Sequence, residues 1–420
     1  MNNKQNCSKK FDKNESSFAA KQIQLTQCLL RDGNQSLRKP LNFAEKDQLF
    51  RLFALDGYKF IEIGFPTAND REFKSCQHLA ALSLNPIVNP NSTGISVLTR
   101  SIKDDLARSW DAVKDGMKPE ITMIYGVNPE QIEKVYKTTL SVMNEKVLHA
   151  IEYIKNLMQS NPKATVRVAF EHFFDVPPEN ISYIIGAIKS CIATGADSIV
   201  FANTVERTTP EYVAKILKKV VPEVRMFNPD VSIGIHLHND KGRAMETALK
   251  AIKSGIDRFD VSTYGIGERQ GGNLHAENFI RVAEDDYNIR TGINRETMYH
   301  AGEHLRFMLR KNEAPLKSPN ETYSGIHVHG NSSILGLYDP VDPELLKISQ
   351  REEFIFTSQS GGLRLWQILE SFGHQPPADL NKTKKLTKII TNYVADIEDK
   401  GSTVPNNELI KYYRNLINNK

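Results

Sequence analysis

Three short strings hold residues whose types and spacing suit metal chemistry. Arg31-Asp32-Gly33-Asn34-Gln35 supplies a cation, a carboxylate and amides. His236-Leu237-His238-Asn239-Asp240 supplies two imidazoles two positions apart. Gly265-Ile266-Gly267-Glu268-Arg269-Gln270-Gly271-Gly272-Asn273 is a glycine-rich run ending on an amide. On a β-strand, side chains two apart point the same way, so His236 and His238 can share one ion. With the Asp32 carboxylate and the Asn273 amide oxygen they make a mixed nitrogen and oxygen set. Such a set suits Mg2+, Mn2+ or Zn2+, with positions left for water and substrate. Each part also has an ordinary alternative. The histidines can be a hydrogen-bonded surface pair, Asp32 a turn residue before Gly33, and Asn273 a loop amide.

The strings react together only if the fold brings them together. From Gln22 to about residue 290, short apolar runs alternate with longer helical patterns. The strand candidates, in order, are QIQLTQCLL, KFIEIGF, ISVLT, EITMIYG, TVRVAFEH, DSIVFAN, VSIGIHLH and RFDVSTY. Between the last two, Ala244, Thr247, Ala248, Ala251 and Ile252 fall on one helical face, and Gly255 is placed to end that helix. Strand–helix alternation argues for parallel strands, because each crossover needs room for a helix. Eight such units over roughly 250 residues predict an α/β fold, a (β/α)8 TIM barrel; an open doubly wound sheet is the alternative. In a closed barrel the eighth strand lies between the seventh and the first. Asp32, the histidine pair and Asn273 then meet at the C-terminal mouth, where barrel chemistry sits.

The remaining organisation is simpler. Residues 1–20 are polar and read as a loose tail, 21–290 as the barrel, and 291–420 as a smaller, mainly helical C-terminal domain. The chain has 420 residues, 40% hydrophobic and 25% charged, with a net charge of +4. That is an ordinary globular composition. The basic residues are dispersed, which speaks against nucleic acid, and no run is long and apolar enough for a membrane span. The four cysteines, Cys7, Cys28, Cys76 and Cys191, form no CxxC pair. That usage fits a reducing compartment, so a cytoplasmic protein is expected.

The strings LLRDGNQSL, FIEIGFPTAND, FANTVERTTP, IHLHNDKGRA and GIGERQGGN, in this order, resemble the motifs of the DRE-TIM metallolyase superfamily. The 2-isopropylmalate, homocitrate and citramalate synthases are the nearest in pattern. SGIHVHG, YDPVDPELL and TSQSGG resemble the synthases' segment after the barrel. The resemblance implies an acyltransferase. An acyl-CoA, usually acetyl-CoA, loses a methyl proton, and its carbanion adds to the ketone of a 2-oxo acid. Hydrolysis of the thioester then releases CoA. The first expectation is 2-isopropylmalate formation from 2-oxoisovalerate, a step of leucine biosynthesis. Homocitrate- or citramalate-type acceptors, an aldol-type lyase and a non-catalytic metal-binding relative are the alternatives. The lyases carry a cysteine in the glycine-rich string, and residues 265–273 have none.

The resemblance also assigns roles. Asp32, His236, His238 and Asn273 are the metal ligands. Arg31 adds positive charge where alkoxide develops, and Glu171 orients catalytic groups. Thr204 and Gln35 contact the substrate. His327, with Tyr338, supplies the base, and His329 lies two residues on. Glu206 is a further candidate as an ion-pair partner in the mouth; Asp240 and Arg243 orient the ligands. Two departures from the family pattern stand out: an extra residue before Asn273, and no Ser/Thr-rich string at Tyr125-Gly126-Val127-Asn128. A homodimer, with the second domain of one chain over the barrel of the other, is also implied. No leucine-binding regulatory domain is expected. Leucine added to a CoA-release assay should therefore leave the rate unchanged; strong inhibition would overturn that expectation.

Overall fold

The computed structural model describes residues 21–37, 39–269, 271–311 and 356–418. Its eight parallel strands close in sequence order into a barrel. They are β1 (Gln24–Gln27), β2 (Phe60–Gly64), β3 (Gly94–Arg100), β4 (Glu120–Gly126), β5 (Thr165–Glu171), β6 (Ser198–Asn203), β7 (Ser232–Leu237) and β8 (Arg258–Val261). Pairing of β1 with β8, Thr26 opposite Asp260 and Gln27 opposite Val261, closes the ring and excludes the open sheet.

The helices form for local reasons. Phe43–Asp56 starts with a capping box in which Asn42 and Glu45 satisfy each other's backbone N–H groups, and Gly57 ends it in the left-handed region. Ala244–Lys253 buries Ala244, Thr247, Ala248, Ala251 and Ile252, the face the spacing predicts. Gly255 follows it with φ 97°.

The first strand departs from its predicted length. QIQLTQCLL reads as extended through Leu30, yet β1 stops at Gln27 and the chain winds into a wide turn over Leu29–Gly33. Gln27 Oε1 accepts the Leu29 N–H at 3.1 Å, and the Cys28 carbonyl accepts the Asp32 N–H at 2.9 Å. Side-chain and turn hydrogen bonds thus outcompete the sheet. The turn carries Arg31 and Asp32 inward over the mouth.

The barrel interior is a filled core that carries charge. Arg258 donates to both Glu120 oxygens (2.6 and 2.7 Å) and to Thr26 Oγ1 (2.8 Å). Arg167 donates to Asp260 at 2.8 Å. All four charged residues are buried. Around them the apolar faces of strands and helices form one core, which also takes in Met298, Ala301, Leu305 and Met308 of the helix Arg295–Lys311.

Helices Gly362–Ser371, Leu380–Asp399 and Asn406–Asn418 form a smaller unit with a second core around Leu365, Trp366, Leu369, Ile390 and Leu409. It docks on the barrel beside the β2 exit. Asn69 Nδ2 donates to the Ser358 carbonyl (3.0 Å), Arg71 pairs with Asp396 (2.6 Å) and with Asp399, and Asn392 donates to Asp70 (3.0 Å). Among the described residues, no helix is long and apolar enough to cross a membrane.

Glu398 sits at this junction, 4% exposed, its carboxyl accepting the Ser358 N–H at 3.2 Å. Burial pushes the carboxyl up to about 7, against the Ser358 hydrogen bonds and Lys39. The folded state therefore holds this proton more tightly than the unfolded chain, and stability falls as pH rises from the ordinary value of 4.5 to about 7. Glu398→Gln should raise the melting temperature at about pH 8, by the equivalent of on the order of 2–3 kcal/mol, and change it little at about pH 4.5. Equal shifts at both pH values, read by calorimetry, would refute this.

Candidate metal centre

The mouth holds a solvent-open cavity of about 610 Å³. Asp32, buried at 2% exposure, stands on one side. One of its oxygens accepts Asn273 Nδ2 at 2.8 Å and the Glu268 N–H at 3.0 Å. The other faces Arg31 Nη1 at 2.9 Å and His236 Nε2 at 3.7 Å. The rings of His236 and His238 lie 5.0 Å apart and nearly perpendicular. One ligand atom from each of Asp32, His236 and His238 lies within 4.8 Å of the others.

Asn273 reaches the group through the glycine-rich loop. Its N–H donates to the Gly265 carbonyl at 2.8 Å, and it bridges to His238 across an antiparallel pair. The extra residue is absorbed at Gly272, whose φ is 73°; a Cβ there would lie 1.9 Å from the Gly265 carbonyl oxygen. Only glycine fits that approach. Asn273 Oδ1 is buried and has no hydrogen-bond partner among the described residues. Asp32, His236 and His238 are a donor set that suits a divalent cation; Asn273 lies outside the cavity wall and turns Nδ2 toward Asp32, so its oxygen joins the set only with the amide turned over. Burial and the nearby Arg269, His236, Arg31 and His172 hold the His238 imidazole well below its ordinary range, so it stays neutral, as a ligand must be.

Arg31 lines the cavity between two carboxylates, Asp32 and Glu62 (2.8 Å). Glu171 also lines it; Gln131 Nε2 donates to its carboxyl at 2.5 Å, and Tyr136 hydrogen-bonds to it. Thr204 lines it as well, its Oγ1 accepting the His172 N–H at 2.8 Å, while Arg269 donates to its carbonyl. Gln35 is buried in the short turn Asn34–Ser36 and is not in the cavity wall. Glu206, fully buried, accepts the backbone N–H groups of Lys241 and Arg243 and braces the loop after β7. Asp240 pairs with Arg269 at 2.7 Å. His172, Glu206 and Tyr264 take positive φ (58°, 46°, 55°) just past β5, β6 and β8. Strained backbone at three strand exits is a feature of functional mouths. His327, His329 and Tyr338 lie outside the described residues.

Glu62, Arg167, Asp260 and Glu268 also line the cavity, and the string motifs did not single them out. The signal was a charge inside an otherwise apolar strand, as in FIEIG, TVRVAF and RFDV. In a buried parallel strand such a residue must face a partner inside the barrel.

The sequence model of the HMGL-like family matches residues 22–304. 2-Isopropylmalate synthase 2 of Leptospira interrogans is 28% identical over 377 residues, 88% of this chain and 84% of that protein. The 2-isopropylmalate synthase of Sediminispirochaeta smaragdinae is 27% identical, over 81% of this chain and 66% of its own length. Among solved structures, the HMG-CoA lyase of Brucella melitensis matches with a TM-score of 0.56 and 19% identity, covering 69% of this chain and all of that one.

Replacing a ligand should cost affinity directly. His238→Ala and Asp32→Asn should each weaken Mn2+ binding by at least about tenfold in titration calorimetry, the lower bound for residues that merely support ligands. Unchanged affinity in both would remove the centre.

Proposed function

The chain belongs to the HMGL-like family, and from that membership we propose that it is a metal-dependent enzyme of carbon–carbon bond chemistry that condenses acetyl-CoA with a 2-oxo acid. The observation that carries this is the convergence of Asp32, His236 and His238 on one cavity, with Asn273 hydrogen-bonded to Asp32 behind them. Asp32, His236 and His238 would hold a divalent cation, which would supply Lewis-acid polarisation of the ketone. Arg31 places a fixed positive charge beside the oxygen on which alkoxide charge grows. Burial opposes that charge, but Glu62 and Asp32 outweigh burial and keep the guanidinium protonated at any working pH. Thr204, held from both sides by His172 and Arg269, is a rigid contact for the acceptor's carboxylate. Glu171, clamped by Gln131 and Tyr136, orients the reacting groups. His327 with Tyr338 is the proposed source of the base that removes the methyl proton.

The cavity wall supports an aliphatic acceptor. Leu98, Ile124, Ala169, Val200 and Ala202 line it. Its two arginines already face carboxylates: Arg31 faces Asp32 and Glu62, and Arg167 faces Asp260. Among the described residues, a second carboxylate on the substrate would meet Glu62 and Asp260 with both wall arginines already paired, which costs far more than a missing methylene. We therefore place 2-oxoisovalerate ahead of 2-oxoglutarate and oxaloacetate, and, because the aliphatic wall favours a branched side chain over a methyl, ahead of pyruvate, making the protein 2-isopropylmalate synthase-like.

The test is CoA-thiol release from acetyl-CoA with each acceptor in turn. 2-Oxoisovalerate should give the highest kcat/KM, at least about tenfold above either dicarboxylic acid, from ~1–3 kcal/mol or more of discrimination. A preference for a dicarboxylic acceptor would overturn the acceptor, and no release with any of them the condensation itself.

A further inference from the structure

His236 belongs to two overlapping groups that can hold a cation. One is Asp32, His236 and His238; the other is Cys28, His236 and Asp260, its ligand atoms also within 4.8 Å of one another. Both cannot use His236 at once, so something in the barrel decides between them.

The strand pattern supplies the decision. Asp260 Oδ2 stands 3.2 Å from His236 Nδ1, and its other oxygen accepts Arg167 Nη2 at 2.8 Å. Arg167 comes across the interior from β5. Its guanidinium passes over Gly234, two residues before His236 on the same face of β7, and a Cβ at Gly234 would lie 3.0 Å from Nη2. An ionised carboxylate only accepts hydrogen bonds, so His236 Nδ1 must carry the proton. In the neutral ring, the form that can bind a cation, the lone pair is then on Nε2, which faces Asp32 Oδ2 at 3.7 Å, too far for a hydrogen bond. On the other side, the Cys28 thiol is buried and donates weakly to the Thr26 carbonyl at 3.8 Å.

We propose that Asp260 is a positioning residue that turns the Nε2 lone pair of His236 toward Asp32 and His238. Arg167, by engaging Asp260, keeps it and Cys28 from forming the competing site. This rests on the metal-centre reading above, but not on which acceptor or reaction the centre serves.

The readouts need no turnover. In the metal-free native protein, ring 15N shifts of His236, identified by loss of its signals in His236→Gln, should be those of the Nδ1-protonated tautomer. The Nε2-protonated tautomer would overturn the proposal without any folding question. Asp260→Asn should weaken Co2+ binding about 10–100-fold, the usual cost of losing a partner that orients a ligand. Arg167→Gln should add a thiolate-to-cobalt charge-transfer band that the further change Cys28→Ser abolishes. Asp260→Asn binding Co2+ within about twofold of the native protein, or Arg167→Gln with no such band while still binding Co2+, would overturn it. Native protein that takes up no Co2+ would instead sink the metal centre itself.

Discussion

The Asp32 carboxylate is the meeting point of three separate stretches of chain. Asn273 and Glu268 reach one oxygen from the loop after β8; Arg31 and His236 face the other from the turn after β1 and from β7. A carboxylate at 2% exposure has lost its water and must find its partners in the protein. The partners it finds are the groups that arrange the mouth. Closure of β8 onto β1 is what makes the arrangement possible, because it brings residues 241 positions apart into hydrogen-bond range.

Below the mouth, the charges stack in pairs, Arg167 with Asp260 and Arg258 with Glu120. Buried ion pairs are poor sources of net stability, since desolvation consumes most of their attraction. Removing one partner is nevertheless expensive, on the order of 3–5 kcal/mol, because it strands the other. Such pairs suit a role in fixing orientation: they hold side chains in one arrangement and penalise every other. Their position directly beneath His236 ties the interior of the barrel to its mouth.

The smaller helical unit meets the barrel through polar contacts at the β2 exit, where Asn69, Asp70 and Arg71 follow the strand. Asn69 caps the helix Asp70–Ser83, whose first turn holds Glu72, which receives Lys46 at 2.7 Å and the Phe65 N–H at 3.2 Å. The second unit is therefore seated on the segment that leaves the strand bearing Glu62, the carboxylate that holds Arg31.

The strand–helix alternation, the apolar faces and the inward pair His236 and His238 were legible because they depend on local period alone: two for strands, 3.6 for helices. The same local rules set the Ala244–Lys253 face and the glycine after it. The wide turn at Leu29–Gly33 was not legible, because an apolar run such as CLL reads as extended until Gln27 is seen to take the Leu29 N–H. Nor was it legible that Asn273 clears the extra glycine, since that depends on Gly272 packing so close to the Gly265 carbonyl that no Cβ would fit. The sequence by itself determined which residue types could bind a cation and that a barrel would carry them. Only the tertiary structure decided which atoms face one another, because the pairings of Asp32 with Asn273 and of Asp260 with Arg167 are made across the closed ring, where no local period reaches.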